Sequence, residues 1–192
     1  LATTHESQGS DMGLFAGFLG WDMTDDRLVD SPRAIQAAGI DVRIQITPIN
    51  ASHPNTYRMT VSNSSQTHTL TAISTGGGII EVIEIDGVKV SLAGDYYETL
   101  VFFGSGGDRL LAYLQENIPA DEIQLLHGGK TLFVEIKSQE FLAHDTILEL
   151  GSQFDVRSIK QISPVLPILS HRDIQVPFLT CTRTKPFAFR GS

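Results

Sequence analysis

Cysteine is nearly absent from this chain of 192 residues: Cys181 stands alone. A disulfide framework, a four-cysteine zinc site and an iron–sulfur cluster held by this chain alone are therefore excluded. Positive charge is also scarce. There are 14 Lys plus Arg against 22 Asp plus Glu, a formal net charge of −8, and no basic run. Such a surface is unsuited to phosphate backbones, so nucleic acid is not an expected partner. No stretch approaches about 18 consecutive apolar residues, so no membrane-spanning helix is expected. No basic segment followed by an apolar one opens the chain, so no signal peptide is expected and the setting reads as cytoplasmic. An initiating Met is missing too. Leu1 reads as lying inside an element already under way, and Arg190-Gly191-Ser192 as a vector-derived junction. The sequence thus reads as a piece of a longer protein.

What is present is an ordinary globular composition, 41% apolar and 19% charged. Met12 to Trp21 places Leu14, Phe15, Phe18 and Leu19 on one helical face, with Asp11 as a candidate N-cap. Asp22 to Arg27 reads as a polar turn. Pro32 to Ala38 predicts a short helix ended by Gly39. Val42, Ile44 and Ile46 alternate with polar residues and predict a half-buried strand. Tyr57, Met59 and Val61 predict another, turning at Asn63-Ser64-Ser65 into Leu70, Ala72 and Ser74. Ile79 to Ile85, the Asp86-Gly87 turn and Val88 to Leu92 predict a hairpin. The rhythm then changes: strand 99–103, helix 108–115, strands 123–126 and 131–136, helix 140–150, strand 154–162. That order is βαββαβ, the ferredoxin-like arrangement. The expectation is α+β: an α/β domain with an antiparallel-rich sheet over 1–94, a ferredoxin-like domain over 95–163, then a linker and tail over 164–192.

Three polar constellations are candidate sites. Gln8, Ser10 and Asp11 stand at the mouth of the first helix, where free N–H groups hold carboxylates or phosphates; plain helix capping is the alternative. His53, Asn55 and Thr56 flank Pro54, so an imidazole, an amide and a hydroxyl converge at a strand entry. They suit an amino acid's carboxylate and amine; a rigid turn is the alternative. Ser74, Gly76, Gly77 and Gly78 interrupt two apolar strands, which calls for a bulge or a closely approaching ligand. The Lys-Ser/Thr ending of a phosphate loop is missing there. His68, His127, His144 and His171 have no metal-ligand spacing, and no metal site is expected.

These residues carry a family resemblance. Leu1-Ala2-Thr3-Thr4, Gly9-Ser10-Asp11, Gly17-Phe18-Leu19-Gly20 and Asp25-Asp26-Arg27 resemble the opening of the β portion of iron–sulfur-dependent L-serine dehydratases. His53-Pro54-Asn55-Thr56 is similar to that family's HPNT. Ser74-Thr75-Gly76-Gly77-Gly78 followed by Ile85-Asp86-Gly87 is similar to its SIGGG and the I-N-G turn beyond. The matches run from Leu1 to about Gly94, in the same order.

The resemblance implies a lyase converting L-serine to pyruvate and ammonia. It implies a four-iron four-sulfur cluster in an α portion, not bound by this chain, whose open iron acts as Lewis acid on the departing hydroxyl. It also implies an ACT-type identity for the second domain, a homodimer, and a substrate- or effector-binding role for Gln8, Ser10, Asp11, His53, Asn55, Thr56, Ser74 and Gly76 to Gly78. This chain alone is expected to be inactive. Two positions depart from the pattern. Gln8 stands where the family has His, and Gln is no base near neutral pH, so no catalytic base is named. Gly104-Ser105-Gly106-Gly107-Asp108 replaces the Arg-Pro-Gly ligand signature of ACT domains. The rival readings are a serine-binding regulatory module of a phosphoglycerate dehydrogenase and a non-catalytic dimerisation domain.

Overall fold

The computed structural model describes residues 9–22, 24–76 and 79–165. The chain forms two compact units, Leu1–Tyr57 and Arg58–Ser192. The division falls after the first two residues of the strand Thr56–Ser62, and the strands on both sides of Gly94 lie in one unit.

The first unit is helical. Helix α1 spans Ser10–Phe18 and α2 spans Ser31–Ala37, with a 3-10 turn over Asp26–Asp30 between them. The helix begins earlier than the apolar pattern predicts. Gly9, in the left-handed conformation, takes the N-cap, so Ser10 and Asp11 lie inside the first turn and are not its caps. Ala16 and Ile35 are the buried apolar residues of α1 and α2. Ser31, fully buried, donates from Oγ to the Met12 carbonyl at 3.0 Å and ties the two helices. Pro32 sits in the first turn of α2, where its missing N–H costs nothing. Gly39 follows the helix with positive φ, as predicted.

The strand predicted over Val42 to Thr47 does not form: residues 40–50 carry no regular structure, and Ile44 and Ile46 are 44% and 55% exposed. Alternation alone does not make a strand. A ladder partner is needed, and none pairs with this segment among the described residues.

The second unit holds two four-stranded sheets. β1 (Thr56–Ser62), β2 (Thr67–Gly76), β3 (Ile79–Ile85) and β4 (Val88–Leu92) follow one another in space as in sequence. Asn63 shapes the first turn: its Oδ1 accepts from the N–H groups of Ser65 and Gln66, both at 2.8 Å. Asp86 and Gly87 both take positive φ, the backbone of the tight hairpin turn that their identities predict.

The other sheet comprises β5 (Tyr97–Phe103), β6 (Glu122–Gly128), β7 (Thr131–Ser138) and β8 (Val156–Ile162), in the order β6-β7-β5-β8. Helix α3 (Gly107–Asn117) joins β5 to β6, and α4 (His144–Gln153) joins β7 to β8. This is the split βαβ arrangement, with every pairing antiparallel. The α+β class is thus as the sequence predicts.

One sheet face packs on the helices: Val101, Phe103, Val134 and Ile136 meet Leu110, Leu114 and Leu150. The opposite face is apolar at its centre, where Leu100 and Phe133 join Ile85, Val88 and Leu92 of the first sheet. The sheet is therefore covered on both sides, which explains the continuous apolar run Leu100 to Phe103 in β5.

Candidate functional site

The loop 53–56 folds on itself. The Asn55 N–H donates to His53 Nδ1 at 3.2 Å, and Thr56 Oγ1 donates to the His53 carbonyl at 2.6 Å. Pro54 cannot donate and holds His53 extended. Because Nδ1 accepts a hydrogen bond, the neutral ring carries its proton on Nε2. His53 is thereby fixed as a donor on its outer nitrogen, the polarity that a carboxylate requires. His53, Asn55 and Thr56 are each half-buried, so neither ring nor amide is locked in a core. The structure ties these three residues together through the Asn55 main-chain N–H and the Thr56 hydroxyl.

Ser10 and Asp11 occupy the first turn of α1, half-buried, with Gly9 preceding them. Gln8 lies outside the described residues, and so do Gly77 and Gly78. Ser74 and Gly76 belong to the second unit. There the register shifts between Ser74, opposite Ile80, and Gly76, opposite Ile79, so Thr75 is the extra residue of a β-bulge. Gly76 has φ +98°, and a Cβ on it would meet nothing within 4 Å. This glycine is set by backbone conformation and not by a close neighbour.

The polar turn after α1 is more elaborate than its composition suggests. Asp22 Oδ1 accepts from Thr24 N at 2.9 Å and from Thr24 Oγ1 at 2.7 Å, and these bonds lower its pKa. Asp25 accepts from Arg27 Nη2 at 2.6 Å, Nε at 2.9 Å and the Arg27 N–H at 2.9 Å. The Arg27 side-chain bonds, then its backbone N–H, hold the Asp25 carboxyl down to about 2. The guanidinium lies 4.5 Å from the centre of the Trp21 ring, a cation–π contact. The Asp-x-Arg spacing was the only sequence signal of this clasp.

His68, read as a lone histidine, has a partner. Its Nδ1 lies 2.7 Å from Asp86 Oδ2, while Asp86 Oδ1 accepts from Thr69 N at 2.7 Å. It clasps the β3–β4 turn to β2. Sequence reasoning also passed over Glu98, Glu135 and Lys137, which are buried. Their alternation with apolar residues reads as a solvent-facing stripe, and only the packing of a second sheet removes them from water.

Among the described residues, no group of three or more His, Cys, Asp or Glu is placed to hold a metal. Cys181 lies outside them. A single cysteine cannot supply the set of thiolates that holds an iron–sulfur cluster. No helix among the described residues is long and apolar enough to cross a membrane.

These features define an α+β chain with a self-bonded His-Pro-Asn-Thr loop and a split βαβ unit. Comparison with known proteins gives the relationship more closely. The chain is 27% identical over 168 residues, 84% of its length and 76% of the relative's, to the probable L-serine dehydratase, beta chain, of Bacillus subtilis (strain 168). It is 28% identical over 103 residues to the L-serine dehydratase, beta chain, of Peptoniphilus asaccharolyticus, covering 52% of this chain and 46% of that one. No family model matches the chain. The resemblance to the β portion of L-serine dehydratases, read from the motifs, is borne out by these relatives.

Proposed function

We propose that this chain is the β portion of an L-serine dehydratase and acts with an α portion to convert L-serine to pyruvate and ammonia. The similarity to a dehydratase beta chain over 84% of the chain carries this reading. The reaction removes the α-proton and the β-hydroxyl of serine, and the resulting enamine hydrolyses to pyruvate and ammonia. It requires a base and an acid in position. Gln8 supplies neither; the base comes from His5 or from elsewhere, or Gln8 only orients the substrate, and the role proposed for the residues below is to bind and orient.

Within the first unit, His53 is the residue best prepared for that role. Its Nε2–H is presented by a loop whose other hydrogen bonds are internal, which suits it to a serine carboxylate. The Asn55 N–H holds that ring and the Thr56 hydroxyl holds the His53 carbonyl, and the Asn55 side-chain amide is assigned to the same ligand. Ser10 and Asp11, with Gln8, form the second candidate contact surface. Ser74 and Gly76 to Gly78 form a third, as an effector contact or as the face that docks on the α portion. The cluster chemistry belongs to the α portion in this reading, since one cysteine leaves this chain without the thiolates to hold it. A cytoplasmic homodimer is part of the same proposal.

Serine kinetics of the assembled enzyme test it. Replacing His53 or Asn55 with Ala raises the half-saturating serine concentration. Unchanged serine kinetics in both variants would refute the assignment.

A further inference from the structure

The face of the β5–β8 sheet that meets the first sheet changes character along its length. By register, its central row is Leu126, Phe133, Phe102 and Ser158; the next is Gln124, Glu135, Leu100 and Lys160; the last is Glu122, Lys137, Glu98 and Ile162. Apolar packing thus gives way to charge within two residues, yet Glu98, Glu135 and Lys137 remain out of water. Glu98 is 1% exposed, Glu135 0% and Lys137 9%.

The hydrogen bonding of this cluster is incomplete. Neither carboxylate oxygen of Glu98 has a partner, and Glu135 Oε1 has none. Glu135 Oε2 accepts from Gln124 Nε2 at 2.6 Å. Lys137 faces Glu98 directly across the ladder but turns elsewhere. Its Nζ donates to the Ser91 carbonyl of β4 at 2.8 Å and lies 3.7 Å from Glu122 Oε2.

A bare carboxylate without hydrogen bonds is among the costliest groups to bury, and taking up a proton relieves that cost. Burial, then the neighbouring Glu135, push Glu98 up to about 7, against a smaller opposing pull from Lys137; Asp95 and Glu122 add to the rise. Burial also raises Glu135. The remaining charges around the cluster are engaged or outside it: Lys160 is exposed, Lys89 pairs with Glu84 at 2.7 Å, and Glu81 holds Ser91 Oγ at 2.8 Å.

We propose that Glu98 is a proton switch at the seam between the two sheets of the second unit. Protonated, it leaves Lys137 on the Ser91 carbonyl and β4 seated. Ionised, it draws the ammonium across the ladder to itself, and the tie from Lys137 to the Ser91 carbonyl of β4 is released. Opposite residues on an antiparallel pair are close enough for that exchange without backbone movement.

The sign follows from the raised pKa of Glu98. The folded state binds the proton more tightly than the unfolded chain, so the stabilising contribution is whole at low pH and is lost as pH rises from about 4.5 to about 7.

The test uses the full chain, wild type and Glu98→Gln, in thermal unfolding between about pH 5 and about pH 8.5, with amide exchange at Val90, Ser91 and Leu92 corrected for intrinsic rate. The expected result is equal Tm values at the acid end and a Tm several degrees higher for Glu98→Gln at the alkaline end. Corrected exchange in β4 rises severalfold with pH in the wild type and stays flat in the variant. Parallel Tm curves overturn the proposal, and so does exchange that does not change with pH. Should Glu98→Gln fail to fold, the Glu98 carboxyl is titrated by carbon NMR in the wild type and in Glu135→Gln. A midpoint near neutrality that falls in Glu135→Gln supports the switch, whereas an ordinary carboxylate midpoint overturns it.

Discussion

Gly128, the last residue of β6, lies directly against Gly87 in the β3–β4 turn: a Cβ on Gly128 would collide with the Gly87 carbonyl oxygen. The obstacle is backbone, which cannot rotate aside. The two sheets meet here by main-chain contact, next to the cluster of Ile85, Val88, Leu92, Leu100 and Phe133.

Gly128→Ala is therefore expected to separate the sheets at this corner and to cost about 1–3 kcal/mol, the range for overpacking a close contact. Chemical denaturation of the wild type and variant checks it. Gly129→Ala is the neighbouring comparison: its Cβ would meet nothing within 4 Å, so any cost there comes from its φ of +57° alone.

Thr56→Val removes the bond from Oγ1 to the His53 carbonyl while keeping the side-chain shape. Loss of this bond costs about 1 kcal/mol of local stability and releases the loop that aims His53. In the assembled enzyme, half-saturating serine is expected to rise in Thr56→Val, and by roughly tenfold in His53→Ala, the size of a lost hydrogen bond to a charged group. Initial rates against serine concentration check both. A change in kcat alone would place these residues away from the bound carboxylate.

The Asp25–Arg27 clasp makes an acid-range prediction. Hydrogen bonds from Arg27 hold Asp25 at about 2 against an ordinary 3.8. Its contribution is present above the ordinary value and is lost as pH falls toward about 2. In Arg27→Ala, the carboxyl midpoint of Asp25 is expected to move upward but not all the way, because the residue-27 N–H still donates to Oδ1. Carbon NMR titration of the two proteins reads this directly.

The sequence was most legible where local chemistry and long-range packing agree. The Asp86-Gly87 turn, the Asn63 turn and the βαββαβ order are all present, because each turn has the residues its backbone needs and each strand has a neighbour. It misled at Val42 to Thr47, where alternation exists without a ladder partner. It was silent about Glu98, Glu135 and Lys137, since an alternating stripe looks the same whether water or a second sheet covers it. At the candidate site, a tight local turn at His53, Asn55 and Thr56 followed from Pro54 and short spacing. The direction of the Asn55 N–H bond, which sets the ring's proton on Nε2, needed coordinates.

The central claim is that this chain serves an L-serine dehydratase. The most direct measurement is pyruvate release from L-serine by the intact gene product purified without oxygen together with its α portion, assayed with and without this chain. The account predicts pyruvate formation that depends on this chain and weakens at low serine when His53 is replaced by Ala. No pyruvate from serine, or an unchanged rate when this chain is left out, would contradict it.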